Sequence, residues 1–224
     1  ANLVRFGRDA ICEARLLKFD MGPDGSDAEA EILGRVIKYR VGVEGAHWAL
    51  NSVAALAAVD CAGGDVEAAA AALANLRAVD GRGVASTIKA PFGEFMLVDD
   101  SYNANPASMA AAFATLASRQ PKAGGRRIVA LGDMLELGPE ERAYHAGLSE
   151  PIDKAGIDLV FAAGPRMAAL IDALPQSRRG GYAENADALV PIISKSLRSG
   201  DIVLVKGSNS SRMSRVVKAL TEWN

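Results

Sequence analysis

Apolar residues run along this chain in two rhythms, and the change between them divides it. Over residues 1 to 43 the spacing is that of strands. Ile11-Cys-Glu-Ala-Arg-Leu-Leu-Lys-Phe19 alternates imperfectly, and Leu33-Gly-Arg-Val-Ile-Lys-Tyr-Arg-Val41 alternates with β-branched and aromatic residues. Between them, Met21-Gly-Pro-Asp-Gly-Ser-Asp27 is predicted to be a turn cluster. Residues 46–60 and 65–78 then become Ala-rich at helical spacing, and Gly63-Gly64-Asp65 breaks them into an antiparallel pair. The first of these helices is predicted to bury Leu50, Val53 and Leu56 or Ala57. Residues 80–84, Asp-Gly-Arg-Gly-Val, read as a hinge.

Beyond the hinge, continuous apolar runs alternate with helical patterns. Strands are predicted at Phe95–Val98, Arg127–Leu131, Leu159–Ala162 and Ile202–Val205, and helices at roughly 106–119, 139–155, 166–174, 186–198 and 210–222. Fully apolar strands separated by helices predict an α/β, Rossmann-like fold with a mostly parallel sheet covered on both faces. Pro191 inside the fourth helical pattern predicts a kink or a late start.

Composition narrows this picture without redirecting it. The 224 residues suffice for one large or two small domains, and 50% hydrophobic content is ample for a core. A net charge of −2 argues against electrostatic binding to nucleic acid or an anionic membrane. No apolar run approaches the roughly 20 residues that span a bilayer. The opening Ala-Asn-Leu-Val-Arg-Phe-Gly-Arg has neither an initiator Met nor the apolar core of a signal peptide, and reads as cut from a longer chain. Cys12 and Cys61 have no metal spacing, and a cytoplasmic location is the simplest expectation.

Candidate chemistry gathers where strands end. Phe95-Met-Leu-Val98 runs into Asp99-Asp-Ser-Tyr-Asn-Ala-Asn105-Pro, where Asn105 can cap a helix that Pro106 opens. Ligands bind at that end of open α/β sheets, although Asp and Asn are also ordinary turn residues. His47 and Asn51 lie four apart on one helix face, suited either to a planar heterocycle or to a structural role. Arg82 stands between two glycines, placed to meet a phosphate or simply solvent. Asp133, after the second strand, is expected beside Asp99 and Asp100 if those strands are neighbours. Lys206, Ser208 and Ser210 follow the last strand and enter the last helix, a fair anion or carboxylate site. The chain has no Gly-x-x-x-x-Gly-Lys-Ser/Thr loop, no Gly-x-Gly-x-x-Gly fingerprint, no zinc spacing and no Gly-x-Ser-x-Gly elbow.

Five motifs stand in the order and rough spacing of the MurF ligases. They are Gly45-x-His47-x-x-x-Asn51, Gly81-Arg82, Asp99-Asp-Ser-Tyr-Asn-Ala-Asn105-Pro with Ser108-Met109, Leu131-Gly-Asp-Met-x-Glu-Leu-Gly138 with His145, and Val203-Leu-Val-Lys-Gly-Ser208. The chain thus resembles the MurF family from about Asn2 to Leu220. The resemblance implies that residues 1–80 are the remainder of a central α/β ATP-binding domain and 81–224 the C-terminal Rossmann-like domain. The phosphate-binding loop and the ligands of Mg2+ would lie upstream.

The implied reaction is ATP-dependent addition of D-alanyl-D-alanine to UDP-N-acetylmuramoyl tripeptide through an acyl phosphate, in cytoplasmic peptidoglycan precursor synthesis. The fragment alone is expected to be inactive. The resemblance assigns His47 and Asn51 to adenine, Arg82 to the terminal phosphates, Asp100 to the ribose and Tyr102 to the phosphate neighbourhood. Asn103, Asn105, Asp133, Lys206 and Ser208 fall towards the incoming dipeptide, with Arg82 and Lys206 also read as catalytic. Asp100→Ala is accordingly expected to weaken nucleotide binding and barely change melting. Two departures stand out: the family usually has Asn at Trp48 and Arg at Asn209, with Arg212 three residues on. Alternatives are another Mur-type or polyglutamate-adding ligase, or a non-catalytic nucleotide-binding module of the same fold.

Overall fold

The computed structural model describes residues 3–22, 25–77 and 81–222. It divides into two compact units, 1–78 and 79–224.

The first unit holds a four-stranded sheet in the order β1 (Phe6–Gly7), β2 (Ala14–Gly22), β3 (Gly25–Ile32), β4 (Arg35–Val41). β1 runs parallel to β2, and the other pairs are antiparallel. One face of the sheet buries Ala14, Leu16, Ala28, Ala30, Ile32, Tyr39 and Val41 against α1 (Ala46–Cys61) and α2 (Val66–Leu73). The other face carries cross-strand ion pairs, Arg15 with Glu31 at 2.7 Å, Arg40 with Asp27 at 3.1 Å and Lys38 with Glu29 at 3.7 Å. Such pairs suit a solvated antiparallel face.

β3 corrects the predicted turn cluster. Its Ala28 and Ala30 alternate with acids, and alanine carries little strand signal, so only the neighbouring Gly and Pro were legible. Residues 23–24 of that cluster lie outside the described residues. Leu33 also belongs to a turn rather than a strand, because Leu33 and Gly34 both have positive φ, 47° and 87°, as a tight hairpin needs. On α1 the buried stripe is Ala49, Ser52, Val53, Leu56 and Ala57, so Leu50 is only partly buried. Ser52 is tolerated inside because its hydroxyl meets the Tyr39 hydroxyl at 2.8 Å and donates to the Ala49 carbonyl. α2 opens on Asp65, whose carboxylate accepts from the Glu67 and Ala68 N–H groups, and ends at Leu73, short of the predicted 78.

The second unit is a six-stranded sheet ordered β5-β6-β10-β7-β8-β9, with β5 (Val84–Ala90), β6 (Gly93–Asp100), β7 (Arg127–Gly132), β8 (Leu159–Ala163), β9 (Arg179–Ala183) and β10 (Ile202–Lys206). Only the β5–β6 pair is antiparallel. Strand parity sorts the core into two layers. Met96, Val98, Ile202 and Leu204 face one side with Met109, Phe113 and Leu116 of α3 (Pro106–Ser118). Phe95, Leu97, Val203 and Val205 face the other, with Leu189 and Ile193 of α7 (Ala186–Ser196) and Val216 and Leu220 of α8 (Ser214–Thr221). The mostly parallel α/β expectation is borne out.

Two strands escaped prediction. β5 is a half-exposed edge, and β9 is Arg-Gly-Gly-Tyr-Ala, whose glycines erase the apolar pattern. The helix predicted at 139–155 is three pieces: a 3-10 turn at Gly138–Glu140, α4 (Glu141–Gly147) and α5 (Ser149–Lys154). Pro151 lacks an N–H and its ring opposes the carbonyl four residues back at Gly147, where the break falls. The patterns at 166–174 and 210–222 likewise open in 3-10 turns, Pro165–Met167 and Asn209–Ser211, before α6 (Ala168–Ala173) and α8. Arg212, with φ of 55°, separates the last turn from α8. α7 runs unbroken through Pro191 from its Asn185 cap.

Candidate functional site

The register of the parallel sheet places the main constellation. Lys206 is the partner of Asp100 on one side and of Leu131 on the other. Parity sends Lys206 and Asp100 to the same face, and the Lys206 Nζ donates to Asp100 Oδ2 at 2.6 Å and to the Asn103 carbonyl at 2.8 Å. The Lys206 side chain is 4% exposed and that of Asp100 22%, so the pair is inside the protein with its acid end towards the surface. Lys206 therefore braces Asp100 and the loop after β6. Removing Asp100 would strand a buried cation, which corrects the expectation that Asp100→Ala barely changes melting.

Asp133 is not beside Asp99 and Asp100. β10 separates β7 from β6, so Lys206 occupies the place between them. The Asp133 side chain is buried, and its Oδ1 accepts from the Arg166 N–H at 3.1 Å and the Met167 N–H at 3.0 Å. It caps the turn that opens α6. Burial pushes its carboxyl up from the ordinary value, against the Met167 N–H and Arg166, which pull it down. Gly164 is fitted to it: φ is 111° and a Cβ would lie 2.5 Å from the Asp133 carboxyl carbon.

The loops at the three central strands are stitched together by groups read earlier as substrate contacts. Ser208 is buried, its N–H donates to the Asp133 carbonyl at 3.0 Å, and its hydroxyl accepts from the Leu135 N–H at 3.0 Å. Asn105 forms a capping box with Ser108, accepting from its N–H at 2.8 Å while its own N–H donates to the Ser108 hydroxyl at 3.0 Å. The Asn103 amide oxygen accepts from the Ala104 N–H at 2.8 Å. His145, fully buried, accepts the Met134 N–H on Nε2 at 3.0 Å, and its Nδ1 meets the Glu141 carbonyl at 2.6 Å. With the proton on Nδ1, both ring nitrogens are satisfied, and the imidazole ties the loop after β7 to α4.

Arg82 and Tyr102 form the exposed part of the β6 end. The guanidinium lies over the Tyr102 ring, 4.4 Å from its centroid, and Tyr102 is half exposed. Residues 81–83, predicted as hinge, are held by hydrogen bonds from Gly83 N–H to the Asp99 carbonyl (2.7 Å) and from Tyr102 N–H to the Gly81 carbonyl (3.0 Å); residue 80 lies outside the described residues. In the first unit, His47 and Asn51 are both exposed on one face of α1, and the Trp48 ring sits 5.6 Å from His47, tilted 41°.

Sequence reasoning missed Arg166, whereas Asp99, on the opposite face of the strand from Asp100, is a brace of the loop as strand parity leads one to expect. Arg166 Nε donates to Glu141 at 2.6 Å, and its guanidinium is 3.6 Å from Asp133, beside a cleft of about 370 Å³ lined by Glu141, Arg142, Pro165, Arg166 and Ala169. Only the Gly-Pro dipeptide ahead of Arg166 hinted at a strand-end turn. Among the described residues no cluster of three or more His, Cys, Asp or Glu could hold a metal ion. None of the helices among them is long and apolar enough to cross a membrane.

The fold and these strand ends define a class. The model of the Mur ligase glutamate ligase domain matches residues 86–209, and the chain belongs to the Mur ligase family. Its type follows from the curated relatives: the UDP-N-acetylmuramoyl-tripeptide–D-alanyl-D-alanine ligase of Escherichia coli is 38% identical over 180 residues, 80% of this chain and 38% of that protein. The MurF resemblance read from the motifs is borne out. In fold, the chain is similar to MurF of Acinetobacter baumannii (TM-score 0.80, 22% identity, covering 96% of this chain and 46% of that one). It is also similar to MurF of Thermotoga maritima in complex with ADP (TM-score 0.77, 22% identity, 97% and 48%). The chain spans less than half the length of these relatives.

Proposed function

We propose that this chain forms part of an ATP-dependent ligase that joins D-alanyl-D-alanine to UDP-N-acetylmuramoyl tripeptide in peptidoglycan precursor synthesis. The observation that carries the reading is the β6 end of a MurF-type chain, where the Arg82 guanidinium, from the segment ahead of β5, lies over the Tyr102 ring two residues beyond the Asp100 carboxylate. Residues 1–80 represent the remainder of the ATP-binding domain and 81–224 the C-terminal domain.

In the reaction, a carboxylate oxygen of the tripeptide attacks the γ-phosphorus of ATP and ADP leaves. The dipeptide amine then attacks the acyl carbon, the acyl–oxygen bond breaks, phosphate departs and the amine loses a proton to solvent. Arg82 neutralises charge on the terminal phosphates, and Asp100 accepts hydrogen bonds from the ribose hydroxyls. Tyr102 supplies the surface on which Arg82 rests. His47 and Asn51 address adenine, where the indole of Trp48 offers a stacking face. Lys206 acts through Asp100 and Asn103 rather than on substrate, since its ammonium is buried and paired. Ser208, Asn105 and Asp133 shape the loops that meet the dipeptide, and Asn103 lines their edge. Mg2+ would take its protein ligands outside the described residues, and no step is assigned to it.

Phosphate release tests the reading. A polypeptide carrying this chain together with a phosphate-binding half should release phosphate only when ATP, UDP-N-acetylmuramoyl tripeptide and D-alanyl-D-alanine are all present. The 224-residue chain alone should release none. Release by the chain alone, or release unaffected by omitting the dipeptide, would overturn it.

A further inference from the structure

Asp99 and Asp100 are adjacent, yet strand geometry turns them to opposite faces of β6. Asp100 meets Lys206, while Asp99 faces the chain segment that carries Arg82. Its Oδ1 accepts from the Ser101 N–H at 3.1 Å and the Ser101 hydroxyl at 2.6 Å, and its Oδ2 accepts from the Gly81 N–H at 3.2 Å. Its carbonyl takes the Gly83 N–H at 2.7 Å, and the Gly81 carbonyl takes the Tyr102 N–H at 3.0 Å. Arg82 is thus pinned on both sides through its glycine neighbours. Gly81 has φ of 76°, and a Cβ there would lie 3.0 Å from the Tyr102 Cβ, so the close approach needs glycine.

An exposed cation–π contact is too weak to hold an arginine side chain by itself, and an unheld arginine must be ordered when an anion binds. We propose that Asp99 is a positioning residue, whose carboxylate fixes residues 81–83 so that Arg82 stays over Tyr102, aimed at a polyphosphate. The inference rests on the reading of Arg82 as a phosphate contact. The Asp99 carboxylate itself is engaged by three donors of the protein.

The test uses the 224-residue chain and inorganic tripolyphosphate, followed by NMR at the Arg82 Nε–Hε group. In the native chain that signal is displaced by the Tyr102 ring current and shifts saturably with tripolyphosphate. Asp99→Asn turns an amide towards one of the donors, and Gly81→Ala breaks the same latch from the other end. Both variants, with amide dispersion otherwise native, should lose the ring-current displacement and bind tripolyphosphate at Arg82 about fivefold or more weakly. If Arg82 answers tripolyphosphate equally in the native chain and in a folded variant, the latch is wrong while the phosphate reading stands. If Arg82 of the native chain ignores tripolyphosphate, both fall.

Discussion

Asp100 and Asp133 stand at the carboxyl ends of two strands of the same sheet, with β10 between them, and their surroundings give them different work. Asp100 ends β6 with a cation beneath it and the surface above, so its carboxylate is oriented by Lys206 and still approachable. Asp133 follows β7 with backbone N–H groups around it, so its carboxylate closes the start of a turn and is sealed. The difference lies in the donors: a side-chain ammonium fixes one acid from below, while two peptide N–H groups enclose the other. An aspartate at a strand's carboxyl end thus becomes a candidate ligand contact only when the local backbone does not claim it.

The largest expected effect breaks the first half of this contrast. Asp100→Ala leaves the buried Lys206 without its acid and should cost about 3 to 5 kcal/mol in denaturant unfolding. Lys206→Met in that background replaces the stranded cation with an apolar chain of similar length and should recover part of the loss. No recovery in the double variant would show that Asp100 does not act through Lys206.

Asp133→Ala comes next. It leaves the Arg166 and Met167 N–H groups without their acceptor, at a cost of about 2 to 4 kcal/mol, with nucleotide binding unchanged. A variant that melts normally but loses ligand would invert the comparison.

The smallest effect is the pH dependence of the sealed acid. Its folded pKa lies above the ordinary carboxylate value, so the native state holds the proton more tightly than the unfolded chain. Its contribution to stability is then fully present below the unfolded pKa and is lost as pH rises through the folded value. Stability of the native chain minus that of Asp133→Asn should therefore fall across the range just above the ordinary aspartate pKa. A difference that rises there would mean that hydrogen bonding, not burial, governs Asp133.

Much of this was legible from the sequence, for reasons particular residues make plain. The buried strands β6, β7, β8 and β10 carry Val, Leu, Ile and Phe in unbroken runs, and Asn105-Pro106 announces α3 in its capping chemistry. β3 and β9 were hidden because Ala and Gly fill their inward positions, where packing rather than propensity makes the strand. At the site, the residues of the β6 loop could be named, but strand order could not. Placing β10 between β6 and β7 is what pairs Asp100 with Lys206 and parts it from Asp133. His145 could be seen in its motif, whereas its role depends on a loop that folds back onto α4 through Met134.

One titration reaches the central claim, that nucleotide meets this chain at the β6 end. ADP is added to the isotopically labelled 224-residue chain, and the side-chain signals of Arg82, Asp100, Tyr102, Asp133 and Arg166 are followed together. The account predicts saturable shifts at Arg82, Asp100 and Tyr102, with Asp133 and Arg166 unmoved. Shifts confined to Asp133 and Arg166 would contradict it and move the nucleotide to the cleft beside α4.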